Sequence, residues 1–134
     1  MDTPFFSILI PTMGRPRLVQ DAVASVIHQD WKDYEIILSN NGANEEVRVF
    51  ADSLKKKIDF RYIEIESVLD MDEHWEMLSE TARGKYQIVL TDRSVLKRGA
   101  LARIAGIHGE ATGGDKIVSW PWDLFDEKTG WLQR

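Results

Sequence analysis

The sequence predicts an α/β protein with a mostly parallel, twisted sheet and helices on both faces. Three observations predict it. Apolar runs of strand length recur along the 134 residues, and rows of apolar residues at helical spacing lie between them. Several of the runs carry almost no polar interruption, as strands covered on both faces do. Strands that alternate with helices pair in parallel through right-handed crossovers.

The first strand is Phe5 to Ile10, "FFSILI", and it stops before Pro11. Pro16 fits a first helical turn. Beyond it, Leu18, Ala22 and Val26 form one row and Val19, Val23 and Ile27 a second, hence an amphipathic helix. The second strand is Tyr34 to Ser39, "YEIILS". Asn44 caps the next helix, with Glu45 and Glu46 in its first turn. Val47, Phe50, Ala51 and Leu54 make its apolar stripe, and Lys55, Lys56 and Lys57 close it with the charge the helix dipole favours.

The third strand, Phe60 to Ile65, carries Arg61 and Glu64 on opposite faces, which fits an edge position. Asp70 is placed to cap a third helix whose stripe is Met71, Trp75, Leu78 and Ala82. Gly84 falls where a left-handed C′ glycine belongs. The fourth strand is Tyr86 to Thr91, and a fourth helix runs from about Gly99 to His108. Gly109 to Gly114 reads as a loop, since no strand precedes it and no helix follows it, as a dinucleotide fingerprint would require. Lys116 to Trp120 is a fifth strand. The tail, "WPWDLFDEKTGWLQR", reads as a C-terminal hairpin with its turn near Asp126 to Gly130. The expectation is one domain over residues 1–134, cut within the second strand of that hairpin.

Composition narrows the function. A net charge of -5 disfavours a broad nucleic-acid or anionic-membrane surface. The absence of cysteine excludes disulfides, thiolate metal sites and cysteine nucleophiles. "MDTPFFSILIPTMGRP" is neither a signal peptide nor a membrane span, so the expected location is cytoplasmic. His28 and His108 fit no metal spacing.

In an open parallel sheet, ligands bind at the carboxyl ends of the strands. Three polar groups follow strands there: Pro11, Thr12, Met13, Gly14 and Arg15; then Asn40, Asn41 and Gly42; then Asp92, Arg93 and Ser94. Thr12 brings a hydroxyl, and Arg15 a guanidinium able to pair with phosphate. Asn40 and Asn41 each bring a donor and an acceptor, which suits the edge of a base. Asp92 can accept from a ribose hydroxyl or approach a divalent cation. Together they read as a nucleotide site. Each also has a structural reading: "NNG" is a turn signal, Asp92 is a turn cap, and Arg15 is a surface residue.

"FSILIPTMGRPRLVQDAVASVIHQDWKDYEIILSNNGANEE" resembles the opening of glycosyltransferase family 2, the inverting enzymes of GT-A fold. The family pattern is a hydrophobic strand, Pro-Thr, a short loop with Arg-Pro, a helix ending in Ser-Val and Gln, then a strand ending in two acids and Gly. "ARGKYQIVLTDRSVLKRGAL" resembles the later block that leads into Asp-x-Asp, and "MDEHWEMLSETARGKY" is similar to a subgroup with Asn-Trp at His74-Trp75. The resemblance implies a Rossmann-like nucleotide-binding half that takes a nucleotide-diphosphate sugar. Pro11, Thr12, Met13 and Arg15 match the loop beside the base. Asn40 and Asn41 match an acidic pair that contacts base and ribose. Asp92 matches the first acid of Asp-x-Asp, near ribose and metal.

In that family a magnesium or manganese ion bridges the motif and the diphosphate. An acceptor hydroxyl attacks the anomeric carbon, deprotonated by an acid further along; the resemblance places that base beyond Arg134. Asp123, Asp126 and Glu127 receive no role, and Trp120 and Trp122 are expected to pack on the hairpin. The acceptor it implies is a glycan or a lipid-linked molecule, met in the cytoplasm or at the inner face of the membrane.

Two departures stand out. The acidic pair is Asn40-Asn41, and the second acid of Asp-x-Asp is Ser94. One carboxylate and a hydroxyl make a poor cage for a hard cation. Arg93 therefore has two readings, a solvent-facing side chain or a positive charge in place of the ion. His74 likewise reads as a diphosphate contact or a surface histidine. A non-catalytic or truncated nucleotide-binding module of the same fold is the alternative to an enzyme. A signalling receiver lacks support, because the first strand ends in Pro11-Thr12 rather than an acidic cluster. A sugar nucleotidyltransferase would need a glycine-rich loop that "PTMGRP" does not supply.

Overall fold

The computed structural model describes residues 3–110 and two short strands near the C-terminus, with side chains described through Ile107. Cα packing divides the chain into two compact units, Met1–Ala102 and Arg103–Arg134. In the first unit the order is β1 (Phe6–Thr12), α1 (Pro16–Ile27), β2 (Tyr34–Asn41), α2 (Glu45–Lys55), β3 (Arg61–Ile65), α3 (Met71–Thr81) and β4 (Tyr86–Val89). A fourth helix, α4 (Ala100–Glu110), starts there and ends in the second unit. The second unit also holds β5 (Leu124–Asp126) and β6 (Gly130–Gln133), paired antiparallel as the expected hairpin requires. The expected strand at Lys116 to Trp120 lies outside the described residues. Gly109 and Glu110, expected in a loop, belong to α4, and the rest of that stretch lies outside the described residues.

The four strands of the first unit are all parallel, in the order β3-β2-β1-β4. β3 is an edge strand, as its charges on both faces predict. Steps from β1 to β2 to β3 run one way across the sheet, and the step to β4 runs back. Right-handed crossovers then put α1 and α2 on one face and α3 on the other. Side chains follow this by alternation. Leu9 and Ile37 are register partners and pack on Leu78 of α3, with Ile63, Met77 and Ala82 around them. Ile8, Ile10, Ile36 and Leu38 alternate with them and are fully or almost fully buried, as are Val19, Ala22, Val23 and Val26 of α1 and Val47 and Ala51 of α2. Among the described residues no helix is long and apolar enough to cross a membrane.

The strand ends differ from expectation. β1 runs through Pro11 to Thr12, two residues past the expected stop. Leu9 O accepts from Leu90 N at 2.8 Å, so Leu9 bonds toward β4. Pro11, two residues on, bonds to the same side, where β4 has ended at Val89. Its missing N–H therefore costs the sheet no bond. β2 likewise continues through Asn40 and Asn41, because Glu64 and Ile65 of β3 still pair with them. β4 is shorter than the expected Tyr86 to Thr91, since the chain turns away after Leu90.

Helix starts fall where the sequence places them, at Pro16, after Asn44 and after Asp70. Asn44 Oδ1 accepts from Val47 N at 3.1 Å, a formed cap. Asp70 makes no such side-chain bond. The expected stripe of α3 is also corrected. Met71 is exposed, and the buried residues of the helix are His74 and Leu78. Gly84 is not left-handed. A Cβ there would lie 2.6 Å from both Ser7 N and Ser7 Oγ, so glycine is required by close approach to β1. Gly84 N donates to Ser7 Oγ, and Ser7 Oγ donates to Glu35 Oε1, both at 2.7 Å.

Candidate functional site

The point where connections leave in opposite directions lies between β1 and β4. Thr12 ends β1 there, and Asp92 follows β4. Asp92 is the corner residue of a turn closed by Ser94 N donating to Thr91 O at 3.0 Å. Its carboxylate is turned inward and is 4% exposed. Thr12 Oγ1 donates to Asp92 Oδ2 at 2.9 Å, and Arg15 Nη1 donates to Asp92 Oδ1 at 3.2 Å. The two loops are thus bonded through side chains across the switch point. The Arg15 side chain stays 46% exposed at this rim. Met13 beside it is exposed.

The turn that aims Asp92 inward aims Arg93 and Ser94 outward. Arg93 is exposed and makes no hydrogen bond or ion pair among the described residues. Ser94 Oγ shares a 2.9 Å hydrogen bond with Thr91 Oγ1.

Asn40 and Asn41 close the other side of the rim, with Asn40 paired to Thr12 in the β1–β2 register. Alternation sends their side chains to opposite faces. Asn40 Nδ2 donates to Asn44 O and to Tyr62 Oη, both at 2.9 Å, and its Oδ1 accepts from Asn44 N at 3.1 Å. It thereby fastens a turn that needs the positive φ of Gly42, +91°. Tyr62 Oη passes the bond on to Glu64 Oε1 at 2.8 Å. Burial, with Glu64 adding to it, pushes the Tyr62 phenol above its ordinary value, against the opposing bond from Asn40. Asn41 Nδ2 donates to Leu69 O at 2.8 Å while its Oδ1 accepts from Leu69 N at 3.0 Å. Both ends of that amide hold the connection into α3.

His74 is not a surface histidine. It is 4% exposed, and its Nε2 shares a 2.6 Å hydrogen bond with buried Ser39 Oγ. Burial lowers the imidazole pKa. Three successive residues of β2, Ser39, Asn40 and Asn41, are therefore each tied to a different neighbour of the strand.

Ser25 in the last turn of α1 and Gln29 just beyond its end also matter to the site. Ser25 Oγ accepts from Leu96 N at 3.0 Å. Gln29 is buried; its Nε2 donates to Lys97 O at 2.9 Å and its Oε1 accepts from Leu101 N at 3.2 Å. Together they hold the chain that leaves the Asp92 turn. The signal was present as the Ser-Val and Gln that close the first helical pattern.

Both oxygens of Asp92 already accept from protein donors, and the hydroxyl of Ser94 is paired. Among the described residues, no three His, Cys, Asp or Glu side chains converge to hold an ion. What the rim does present is one buried carboxylate and two exposed guanidinium groups, beside two neutral amides.

Residues 7–114 match the family described as Glycosyl transferase family 2. A relative from Campylobacter jejuni, named GalNAc(5)-diNAcBac-PP-undecaprenol beta-1,3-glucosyltransferase, is 34% identical over 56 residues, covering 42% of this chain and 18% of its own. TarS of S. aureus, residues 1–349, superposes with a TM-score of 0.73 at 14% identity, over 91% of this chain and 40% of that one. It has also been solved in complex with UDP-GlcNAc. A mannosyltransferase of Pyrobaculum calidifontis, solved with GDP-Man and Mn2+, gives a TM-score of 0.66 at 14% identity, over 78% of this chain and 32% of that one. These neighbours show that the fold is GT-A. The chain spans less than half the length of the curated relatives it matches.

Proposed function

The chain belongs to glycosyl transferase family 2, and from that premise we propose that its first unit binds the nucleotide of a nucleotide-diphosphate sugar at the β1/β4 switch point. The whole protein then transfers that sugar, with inversion, to a glycan or lipid-linked acceptor at the inner face of the membrane. One observation carries the reading: Asp92 is drawn into the switch point by Thr12 and Arg15. A turn cap alone has no need of a guanidinium from another loop. A ligand site there does, because an inward carboxylate suits ribose hydroxyls and an exposed guanidinium suits phosphate.

Each residue then has a task. Pro11, Thr12 and Met13 form the wall beside the base. Asn40 and Asn41 shape the opposite wall; their amides are held by the chain, so they act chiefly by fixing the loops that meet the base. Asp92 orients the ribose. Arg15 and Arg93 face the diphosphate, whose departure from the anomeric carbon leaves negative charge to be met. UDP-GlcNAc bound to TarS and GDP-Man bound to the mannosyltransferase support a nucleotide sugar here, and the name of the Campylobacter relative supports a lipid-linked acceptor.

Calorimetric titration of this chain with UDP, GDP, ADP and CDP tests the reading. One of them binds, and Asp92→Ala weakens it by about tenfold or more, in line with the loss of a hydrogen bond to a charged group. Failure of all four to bind overturns it. A second reading, a module that binds nucleotide without catalysis, is favoured by the neutral Asn40-Asn41 pair and by Ser94. Donor hydrolysis separates the two, because a binding module takes up the donor and leaves it intact.

A further inference from the structure

Granting that this rim takes a nucleoside diphosphate, as proposed above, we propose that it does so without a bridging divalent cation, and that Arg15 and Arg93 meet the diphosphate charge. The argument starts at Asp92. A hard cation seeks free carboxylate oxygens. Each oxygen of Asp92 is already engaged, one by the Thr12 hydroxyl at 2.9 Å and one by the Arg15 guanidinium at 3.2 Å. A cation entering there would share a buried carboxylate whose two oxygens already accept from Thr12 and Arg15. It must also sit beside a fixed positive charge.

The rest of the rim gives it no compensation. Two positions along from Asp92 stands Ser94, whose hydroxyl is bonded to Thr91. The Asn40 and Asn41 oxygens accept backbone N–H groups of Asn44 and Leu69. Carbonyl-type oxygens already serving as acceptors on the chain are weak ligands for a small dication.

The same rim suits an anion. Arg15 spends one N–H on Asp92 and remains 46% exposed, leaving the other donors of its fork for a phosphate. Arg93 lies one residue from Asp92, exposed, and makes no ion pair among the described residues. Arg15 and Arg93 together set two guanidinium groups against the single Asp92 carboxylate. Guanidinium groups pair with phosphate in bidentate fashion, so they replace both the charge and part of the geometry of an ion.

The test uses the 134-residue chain and titrates UDP, GDP, ADP and CDP by calorimetry, first in excess EDTA and then in MnCl2. The tightest diphosphate binds in EDTA, and Mn2+ changes its affinity by less than about threefold. Arg15→Ala and Arg93→Ala each weaken binding in EDTA by about tenfold or more, and Arg15→Lys recovers part of the loss. Circular dichroism of each variant confirms that it folds. Binding only in the presence of Mn2+ overturns the inference and leaves the nucleotide reading intact. So does Mn2+-independent binding that neither arginine substitution weakens. No binding in either buffer overturns both.

Discussion

Asn41 makes a pair of hydrogen bonds that only an amide can make, since it donates to Leu69 O and accepts from Leu69 N. An aspartate there would keep the acceptor and place a second negative oxygen against a carbonyl. Asn41→Asp, a change toward the acidic pattern of the resemblance, is therefore expected to destabilise the chain by about 1–3 kcal/mol. Urea denaturation measures it, and hydrogen exchange at the Leu69 amide should accelerate in step. An unchanged midpoint would mean that the clip contributes nothing. Thr12 sits on the other wall in a similar position. Thr12→Val strips one donor from buried Asp92, with an expected cost of about 1–3 kcal/mol. None of this was visible in "NNG" alone. The turn reading of that tripeptide describes Asn40, whose amide does fasten a turn. The partner of Asn41 lies 28 residues away in sequence, and no local pattern announces a contact of that kind.

Among the elements, α1 supports the site from its far end. Ser25 in its last turn and Gln29 just beyond it hold the chain from Leu96 to Leu101. Gln29→Ala should cost about 1–3 kcal/mol, since it removes the side-chain acceptor of the buried Leu101 N–H. Exchange protection should fall first at Leu101 and Leu96. Gly84 fixes a different join. Gly84→Ala drives a methyl into the backbone of β1, and overpacking of that kind costs about 1–3 kcal/mol. Chemical denaturation of the variant checks it; a neutral result would show that the two segments move apart freely. Helix starts were legible because Pro16 and Asn44 act on the residues beside them. The buried face of α3 was not. Its apolar residues point to Met71 and Trp75, yet the sheet takes up His74, because Ser39 on β2 offers a hydrogen bond that pays for burying a ring nitrogen. Strand ends were misjudged for a related reason. Pairing continues while a neighbour is present, and neighbours are set by sheet order.

For the whole molecule, acid acts through two groups at opposite ends of β2. His74 is held below its ordinary value of 6.5 by burial. Its contribution is complete above that value and declines as pH falls below it, because the unfolded chain takes up the proton first. For Glu35, burial works to raise the carboxyl pKa from 4.5, but hydrogen bonds from Ser7 and Arg83 and the Arg83 charge outweigh it, and the net shift is downward. Its contribution is present above that value and is lost as pH falls through the lowered one. Urea midpoints should therefore drop in two stages on acidification, and His74→Leu should remove the first while leaving the second. A single stage in both proteins would refute the assignment. The alternation of strands and helices, and the convergence of Thr12, Arg15 and Asp92, were legible at this scale, since both follow from rules about sheets rather than about single residues.

Pro11 has one more consequence. If β4 were to lengthen along β1, the next bond would run from residue 11 to the carbonyl of Leu90, and a ring nitrogen has no hydrogen to give. The zipper between these strands has a chemical stop. The notch above it stays unsealed however the side chains around it vary, so mutations that reshape the notch should not be able to close it by extending the sheet.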